Sequence, residues 1–580
     1  MKRLLIAVCV LFVVAVQVEA QRNEPFFMRD AVGVKSYPAA PRIAQSASMV
    51  PATLLPAAES TIPEAIEAIR EWNESGRQPM RNGFKRALPD LIELKGEPVQ
   101  VAKTGVRRAG RGLAVKTDHG TSIWSTVVKV EKAHRLRLHL ENCVLPEGAV
   151  LWVYGAGEAP IAFGRELLDD KGGLWTPATD GETVWLEIET PAASAAAFTI
   201  REVLEIVDLA ARSVRAQDAP TCLVDSTCVN SSTFDVITAA RRAVAQLQFV
   251  TSEGGAVCSG GLLNDRNNTG TPYLLTAHHC FSTQSEASSL DAYFDFVSSA
   301  CNGPFNRSTA PRTHGATLLA TSSINDFTFV RLNSAPAGRA LLGWDSAVPA
   351  NGTKLYRLSH PFPSDDVIRP QMYSSTLVNI SAGVCEGLPR SSFIYSSASE
   401  GGTYGGSSGS PVMLAGGRVV GQLLGSCGPE PKSGCDPRNS KVDGAFSLTY
   451  PNIAQWLEGN PAQPVACTQN ATTMCLVDNR FEVTAAWQTS NNSGAGQAVR
   501  LTGDTGYFWF FGSSNVEAVI KVLNACPLNQ RFWVFAGGLT NVRVVLTVRD
   551  TKTGTVKTYT NPLDTAFVPI QDTSAFATCP

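Results

Sequence analysis

The fourteen cysteines of this 580-residue chain divide it before any other feature is read. Cys9 and Cys143 stand apart, eight lie between Cys222 and Cys435, and four lie between Cys467 and Cys579. An even number in each of two blocks implies two disulfide-closed domains made for an oxidising compartment. The N-terminus points the same way. Lys2 and Arg3 precede the apolar run Leu4 to Val16, and Val18-Glu19-Ala20 follows, which reads as residues 1–20 of a secretory signal peptide cut after Ala20. The apolar run is too short for a membrane span, and no later stretch qualifies. The chain is too long for one hydrophobic core, and its formal net charge of −2 gives no sign of a nucleic-acid partner.

Between the signal and the first cysteine block, residues 21–215 read as a segment removed on maturation. Its first part, 21 to about 115, mixes proline-rich and basic stretches and reads as loosely ordered, with one helix over Pro63–Trp72 led by a proline suited to a first turn. Period-two alternation then takes over in Arg135-Leu136-Arg137-Leu138-His139-Leu140 and in Val184-Trp185-Leu186-Glu187-Ile188-Glu189, which predicts a β-sandwich over about 120–206. His134 and His139 read as strand-surface residues rather than ligands. Arg212 and Arg215 stand in a polar, alanine-rich stretch just before Cys222, where proteolytic nicking is expected.

Three segments in the first cysteine block carry chemistry when taken together. Thr276-Ala277-His278-His279-Cys280 offers an imidazole, Asn325-Asp326-Phe327 a carboxylate, and Gly406-Ser407-Ser408-Gly409-Ser410-Pro411 a hydroxyl in a glycine-rich turn. A serine hydroxyl attacks an amide only if a base takes its proton, and that base works best when a buried acid holds its other ring nitrogen. His279, Asp326 and Ser408 fill those roles, with Asp326 opening an apolar strand that carries it beneath a cleft. The turn aims the backbone N–H groups of Gly406 and Ser408 at one point, where an oxyanion would sit. Intervals of 47 and 82 residues separate the three, in the order His, Asp, Ser that belongs to the chymotrypsin-like double barrel. A metal reading of His-His-Cys fails because adjacent side chains do not converge on one ion and no other ligand set follows. No metal or cofactor is expected.

With these motifs in place, residues from about 221 to 458 resemble the lysyl endopeptidase branch of the chymotrypsin-like serine proteases, secreted bacterial enzymes made as larger precursors. The doubled histidine, the Gly-Ser-Ser-Gly-Ser-Pro segment, Cys222 and Cys228 six residues apart, and Cys258 22 residues before Cys280 carry the likeness. It implies an all-β fold: a double-barrel protease domain over 216–460, an N-terminal sandwich-like pro-domain, a linker at 461–466 and a β-rich module over 467–580. It also implies bridges Cys258–Cys280 and Cys228–Cys301, and Cys222 joined to Cys427 or Cys435, the other of the two pairing with Cys385.

Departures from the family pattern mark where specificity and regulation diverge. Lys441 stands where lysine-specific relatives carry the aspartate that receives the substrate's lysine, and Asp443 lies two residues on. Two readings stay open at the level of sequence: Asp443 receives a basic side chain or is neutralised by Lys441, whereas a bare Lys441 favours an acidic residue before the cut. Leu424 replaces a histidine thought to assist the triad. Ser407 replaces the aspartate that a freed N-terminus pairs with in trypsin-like zymogens, so the pro-region is expected to act by covering the cleft or by assisting folding.

The central domain is expected to close with a helix over Pro451–Gly459. Beyond it, Gly506–Phe511, Phe532–Phe535 and Arg543–Val548 read as strands whose aromatic residues fill a core or form a surface- or carbohydrate-binding face. The sequence therefore supports a secreted endopeptidase acting on polypeptides. A second reading is a surface-binding or adhesion protein whose protease fold serves self-processing.

Overall fold

The computed structural model describes residues 20–43, 50, 52–96, 106–117, 120–191, 194–207, 222–304, 310–362, 371–381, 385–458, 467, 469–551, 555–576 and 578–579. The signal segment, the stretch holding Arg212 and Arg215, and the linker 461–466 lie outside them. The architecture is all-β, as expected, with short helices at the seams.

The N-terminal sandwich takes in strands well before residue 120. One sheet runs through Val150–Tyr154, Thr183–Thr190, Ser122–Val130 and Gly112–Lys116, with Ala52–Leu55 added in parallel to Ser122–Val130. The other runs through Arg135–Val144, Ala197–Ile206 and the long strand Met80–Leu94. Leu136, Leu138, Leu140, Leu186, Ile188 and Trp124 close the core between them. The first part of the alternate face of Arg135–Val144 does not meet water, although the period-two pattern alone would suggest it does. Arg135 and Arg137 are buried against the central domain, where Arg135 donates to Gln248 Oε1 at 2.8 Å and Arg137 to Ser289 O at 2.5 Å. His134 is exposed, while His139 stacks on Trp175 and pairs with Glu202.

In the central domain, a closed barrel of six strands runs through Pro411–Met413, Lys354–Ser359, Tyr373–Asn379, Phe393–Glu400, Ser440–Ala445 and Arg418–Cys427, then back to the first. Its companion is a half-barrel through Ala316–Ser322, Phe327–Leu332, Tyr273–Ala277, Gly254–Leu263, Val244–Thr251, Asp291–Tyr293 and Arg312–His314. Its two end strands follow one another through Gly315 without a ladder between them, so one barrel closes and the other stays open. Phe327, Phe329, Trp344, Leu358 and Phe446 share one core across the two halves. The closing helix is Phe446–Leu457, beginning five residues before the expected start because burial of Phe446 and Thr449 anchors it there, with Pro451 inside it.

The described residues between 20 and 96 are not loose. Arg22–Asn23 and Phe26–Phe27 add to central-domain strands, and Met28 is buried and donates its N–H to Arg339 O at 2.8 Å. The reading failed there because the order comes from a partner distant in sequence, not from local periodicity. The helix at 63 runs over Pro63–Glu74, and its Ile69 packs with Phe84, Val257 and Phe362, bridging sandwich and central domain. Met80–Leu94 also pairs with Gly254–Leu263, matching Met80 to Val257 and Gly83 to Gly255, so one sheet crosses from one domain into the other.

The last domain is a second sandwich of two five-stranded sheets. Its aromatic runs split by strand alternation: Phe508, Phe510 and Phe532 enter the core, while Tyr507, Trp509, Trp533 and Phe535 lie half-buried on the outer face.

Candidate functional site

His279 follows the strand Tyr273–Ala277, and the bridge Cys258–Cys280 ties the next residue to the neighbouring strand. Asp326 meets it from the turn between Ala316–Ser322 and Phe327–Leu332. One carboxylate oxygen accepts the His279 backbone N–H at 2.9 Å and the other lies 2.8 Å from His279 Nδ1. Asp326 has a φ of +55°, a left-handed conformation that its surroundings hold in place. Its carbonyl accepts from the His278 N–H at 3.1 Å and from Gln422 Nε2 at 3.2 Å, and Gln422 also reaches Asn325 O. With Nδ1 facing a carboxylate, the imidazole holds its proton there and leaves Nε2 as a base. His279 Nε2 is buried and has no partner among the described residues. His278 turns away, with its Nδ1 2.8 Å from Thr321 Oγ1, and burial pushes its pKa down.

Ser408 sits in a turn seated on the same strand end. Its carbonyl accepts the Ser259 N–H at 2.8 Å, next to Cys258. Gly406 has a φ of +91°, and a Cβ there would stand 2.6 Å from Phe362 N; at Gly409, with φ +78°, a Cβ would stand 2.1 Å from Thr276 Oγ1. Only glycine allows this approach. Neither the Gly406 nor the Ser408 N–H finds an acceptor among the described residues, as an anion-receiving pair requires. Ser407 is fully buried and its Oγ accepts from Ser359, so no carboxylate stands at that place.

The Ser408 hydroxyl does not donate to His279. It donates to Gln78 Oε1, at 3.2 Å, just ahead of the strand that joins the two domains. Two residues on, Met80 is buried over Gly405, where a Cβ would come within 2.3 Å of its Sδ. The sequence reading missed Gln78, since a glutamine before Pro79 carries no motif; its role comes only from the crossing sheet.

Lys441 and Asp443 lie on the strand Ser440–Ala445, and the structure corrects both readings of Asp443. Asp443 neither opens to a pocket nor meets Lys441. It is fully buried against Arg357, whose guanidinium donates to it at 2.5 Å and also to Ser410 O and Oγ at 2.9 and 3.1 Å. Arg357 went unnoticed because it sits inside the strand pattern Leu355-Tyr356-Arg357-Leu358 with no motif around it. Lys441 Nζ donates to Ser426 Oγ at 3.0 Å and Gly434 O at 3.1 Å, and burial lowers its pKa to about 8. Leu424 is half-buried in the neighbouring strand.

The bridges are Cys222–Cys435, Cys228–Cys301, Cys258–Cys280 and Cys385–Cys427 in the central domain, and Cys467–Cys475 and Cys526–Cys579 in the last. Cys435 thus takes Cys222, and Cys143 is unpaired. Cys258, His279 and Cys280 come close enough to suggest a metal, but the two sulfurs are spent on each other and offer no thiolate.

Residues 216–442 match the family model "Lysyl endopeptidase, C-terminal domain", and residues 100–201 match "Lysyl endopeptidase N-terminal domain". A curated lysyl endopeptidase of Pseudomonas aeruginosa is 28% identical over 239 residues, 39% of this chain and 52% of the relative. The two matched stretches are thus similar to the two lysyl endopeptidase domains, and the chain carries further sequence beyond them. It spans about half the length of the curated relative it matches. Among solved structures, the scabies mite inactivated protease paralogue S-I1 is similar at a TM-score of 0.28 and 14% identity, covering 38% of this chain and 96% of that one. The C-terminal sandwich lies outside both family models.

Proposed function

We propose that this protein is a secreted serine endopeptidase, made as a precursor whose residues 21–215 are removed and whose catalytic domain is 216–460. The observation that carries the proposal is the His279–Asp326 pair, with Nδ1 held at 2.8 Å and Nε2 left buried and unpartnered beside the Ser408 turn. In the reaction, Ser408 Oγ bonds to a peptide carbonyl carbon while its proton passes to His279 Nε2. The resulting oxyanion takes the N–H groups of Gly406 and Ser408. His279 then gives the proton to the leaving amine as the C–N bond breaks, and water, deprotonated by the same nitrogen, splits the ester to release the acid and restore Ser408. Asp326 orients the ring and stabilises its charge.

The pro-region acts in this reading as a plug. Gln78 takes the hydroxyl that His279 needs, Met80 covers Gly405, and the crossing sheet holds both in place. Switching on requires removal of this segment, with no new internal ion pair, because Ser407 supplies no carboxylate. The C-terminal sandwich would hold the enzyme to a surface or carbohydrate through its outer aromatic face.

The test is repeated digestion of a denatured, unrelated protein by the secreted product of the full chain, with fluorophosphonate labelling of Ser408. Ser408→Ala is expected to abolish both. Turnover retained in that variant, or a secreted product that neither labels nor digests, overturns the proposal.

A further inference from the structure

We infer that Lys441 selects an acidic residue, glutamate or aspartate, immediately before the bond that is cut. The inference rests on the endopeptidase reading and adds its substrate class. It begins from a count of buried charge. Arg357, Asp443 and Lys441 are all buried, and the one carboxylate is consumed by the guanidinium. One positive charge is left over, and it belongs to Lys441. No carboxylate pairs with its ammonium among the described residues, whose only acceptors for it are the hydroxyl of Ser426 and the carbonyl of Gly434. An ammonium has three N–H donors. Two are used, and one is left with no acceptor in a place that is 1% exposed. A buried cation without a counter-ion is costly, and a substrate anion reaching it would offset that cost.

The place is tied to the nucleophile. Gly434 packs on Gly402, where a Cβ would stand 2.7 Å from the Gly434 carbonyl, and Gly402 opens the six-residue run to Ser408. Arg357, beside Asp443, donates to Ser410, two residues past Ser408. The strands on either side of Lys441 set Ser396 and Ser426 opposite it, small neutral residues that leave room and offer no competing charge. A substrate carboxylate would supply the missing partner, and a lysine side chain in the same place would bring a second cation against the first. The specificity is thus opposite in sign to that of a lysine-selecting site.

Profiling the secreted product of the full chain on a mixed peptide library at pH 7 tests this. Cleavage after Glu and Asp is expected, with kcat/KM for Glu exceeding that for its neutral isostere Gln by roughly tenfold to a hundredfold, the factor carried by a hydrogen bond between charged partners. Lys441→Met is expected to erase the preference for Glu over Gln, and Lys441→Arg to keep it. The wild-type profile decides even if a variant does not fold. A product that labels with fluorophosphonate and digests protein but cuts after Lys, Arg or apolar residues as readily as after Glu overturns the assignment of Lys441 and leaves the endopeptidase reading intact. A product that takes no label overturns both.

Discussion

The contact between Gln78 and Ser408 can be weighed against the seating of Met80, and the two predict different release of the nucleophile. The Gln78 side chain is exposed and contributes one neutral hydrogen bond at 3.2 Å. Such a bond is worth about 0.5 to 1 kcal/mol net, because water replaces it when it breaks. Met80 is 3% exposed and packs on Gly405; truncating a buried methionine to alanine costs about 2 to 5 kcal/mol. If unplugging needs Met80 to leave, Gln78→Ala should speed fluorophosphonate labelling of the unprocessed chain by roughly 2- to 5-fold, and Met80→Ala by roughly 30-fold or more. The assay is labelling over short times with precursor and processed forms separated on a gel, so that only intact chain is counted. Met80, not Gln78, should dominate. Equal effects of the two variants, or no change in either, would refute the argument that buried apolar seating holds the plug while the glutamine merely diverts the hydroxyl.

Two further outcomes follow from the buried charges. Arg357→Met, which leaves Asp443 buried and alone, should destabilise the central domain by about 3 to 5 kcal/mol, whereas Arg357→Met with Asp443→Leu should recover most of the loss; guanidinium unfolding followed by tryptophan fluorescence measures both. The preference for Glu over Gln should hold below pH 8 and fade above it. Burial, aided by Arg357 and opposed by Asp443, lowers the Lys441 pKa to about 8, so the charge is present on the acid side and lost on the alkaline side. Since kcat/KM reports the free enzyme, its Glu-to-Gln ratio against pH shows this midpoint, and a ratio flat from pH 6 to 10 would refute it.

What was legible in the sequence was what local pattern and motif carry. Alternation at 184–189 placed a strand of the first sandwich, and the split of Phe508 and Phe510 from Tyr507 and Trp509 follows directly from period two. His279, Asp326 and Ser408 stand out in the sequence because the chemistry needs those types together; His279 and Asp326 lie in hydrogen-bond contact, while the Ser408 hydroxyl donates to Gln78. The choice between Cys427 and Cys435 was not legible, since connectivity depends on how a barrel closes and not on spacing. Nor was the order around Arg22–Asn23 and Phe26–Phe27, whose strands pair with partners more than three hundred residues away.

The readings of Arg135, Arg137 and Asp443 share one cause. Alternation identifies the face of a strand that avoids the first core, and it says nothing of whether that other face meets water or a second body. Arg135 and Arg137 sit on such a face and are buried between domains; Asp443 sits two residues from Lys441 yet spends its charge on a strand more than eighty residues earlier. A charged residue in a strand pattern is therefore a statement about a partner still to be found. For Arg135 the partners are the carboxylate of Asp180 and the side chains of Gln248 and Tyr293, and for Arg137 the carbonyls of Thr176 and Ser289. For Asp443 the partner is Arg357. Lys441, like Arg137, meets only neutral acceptors, but one of them, Gly434, packs on the segment that leads to Ser408, and that placement is the ground on which a role in specificity is proposed for it.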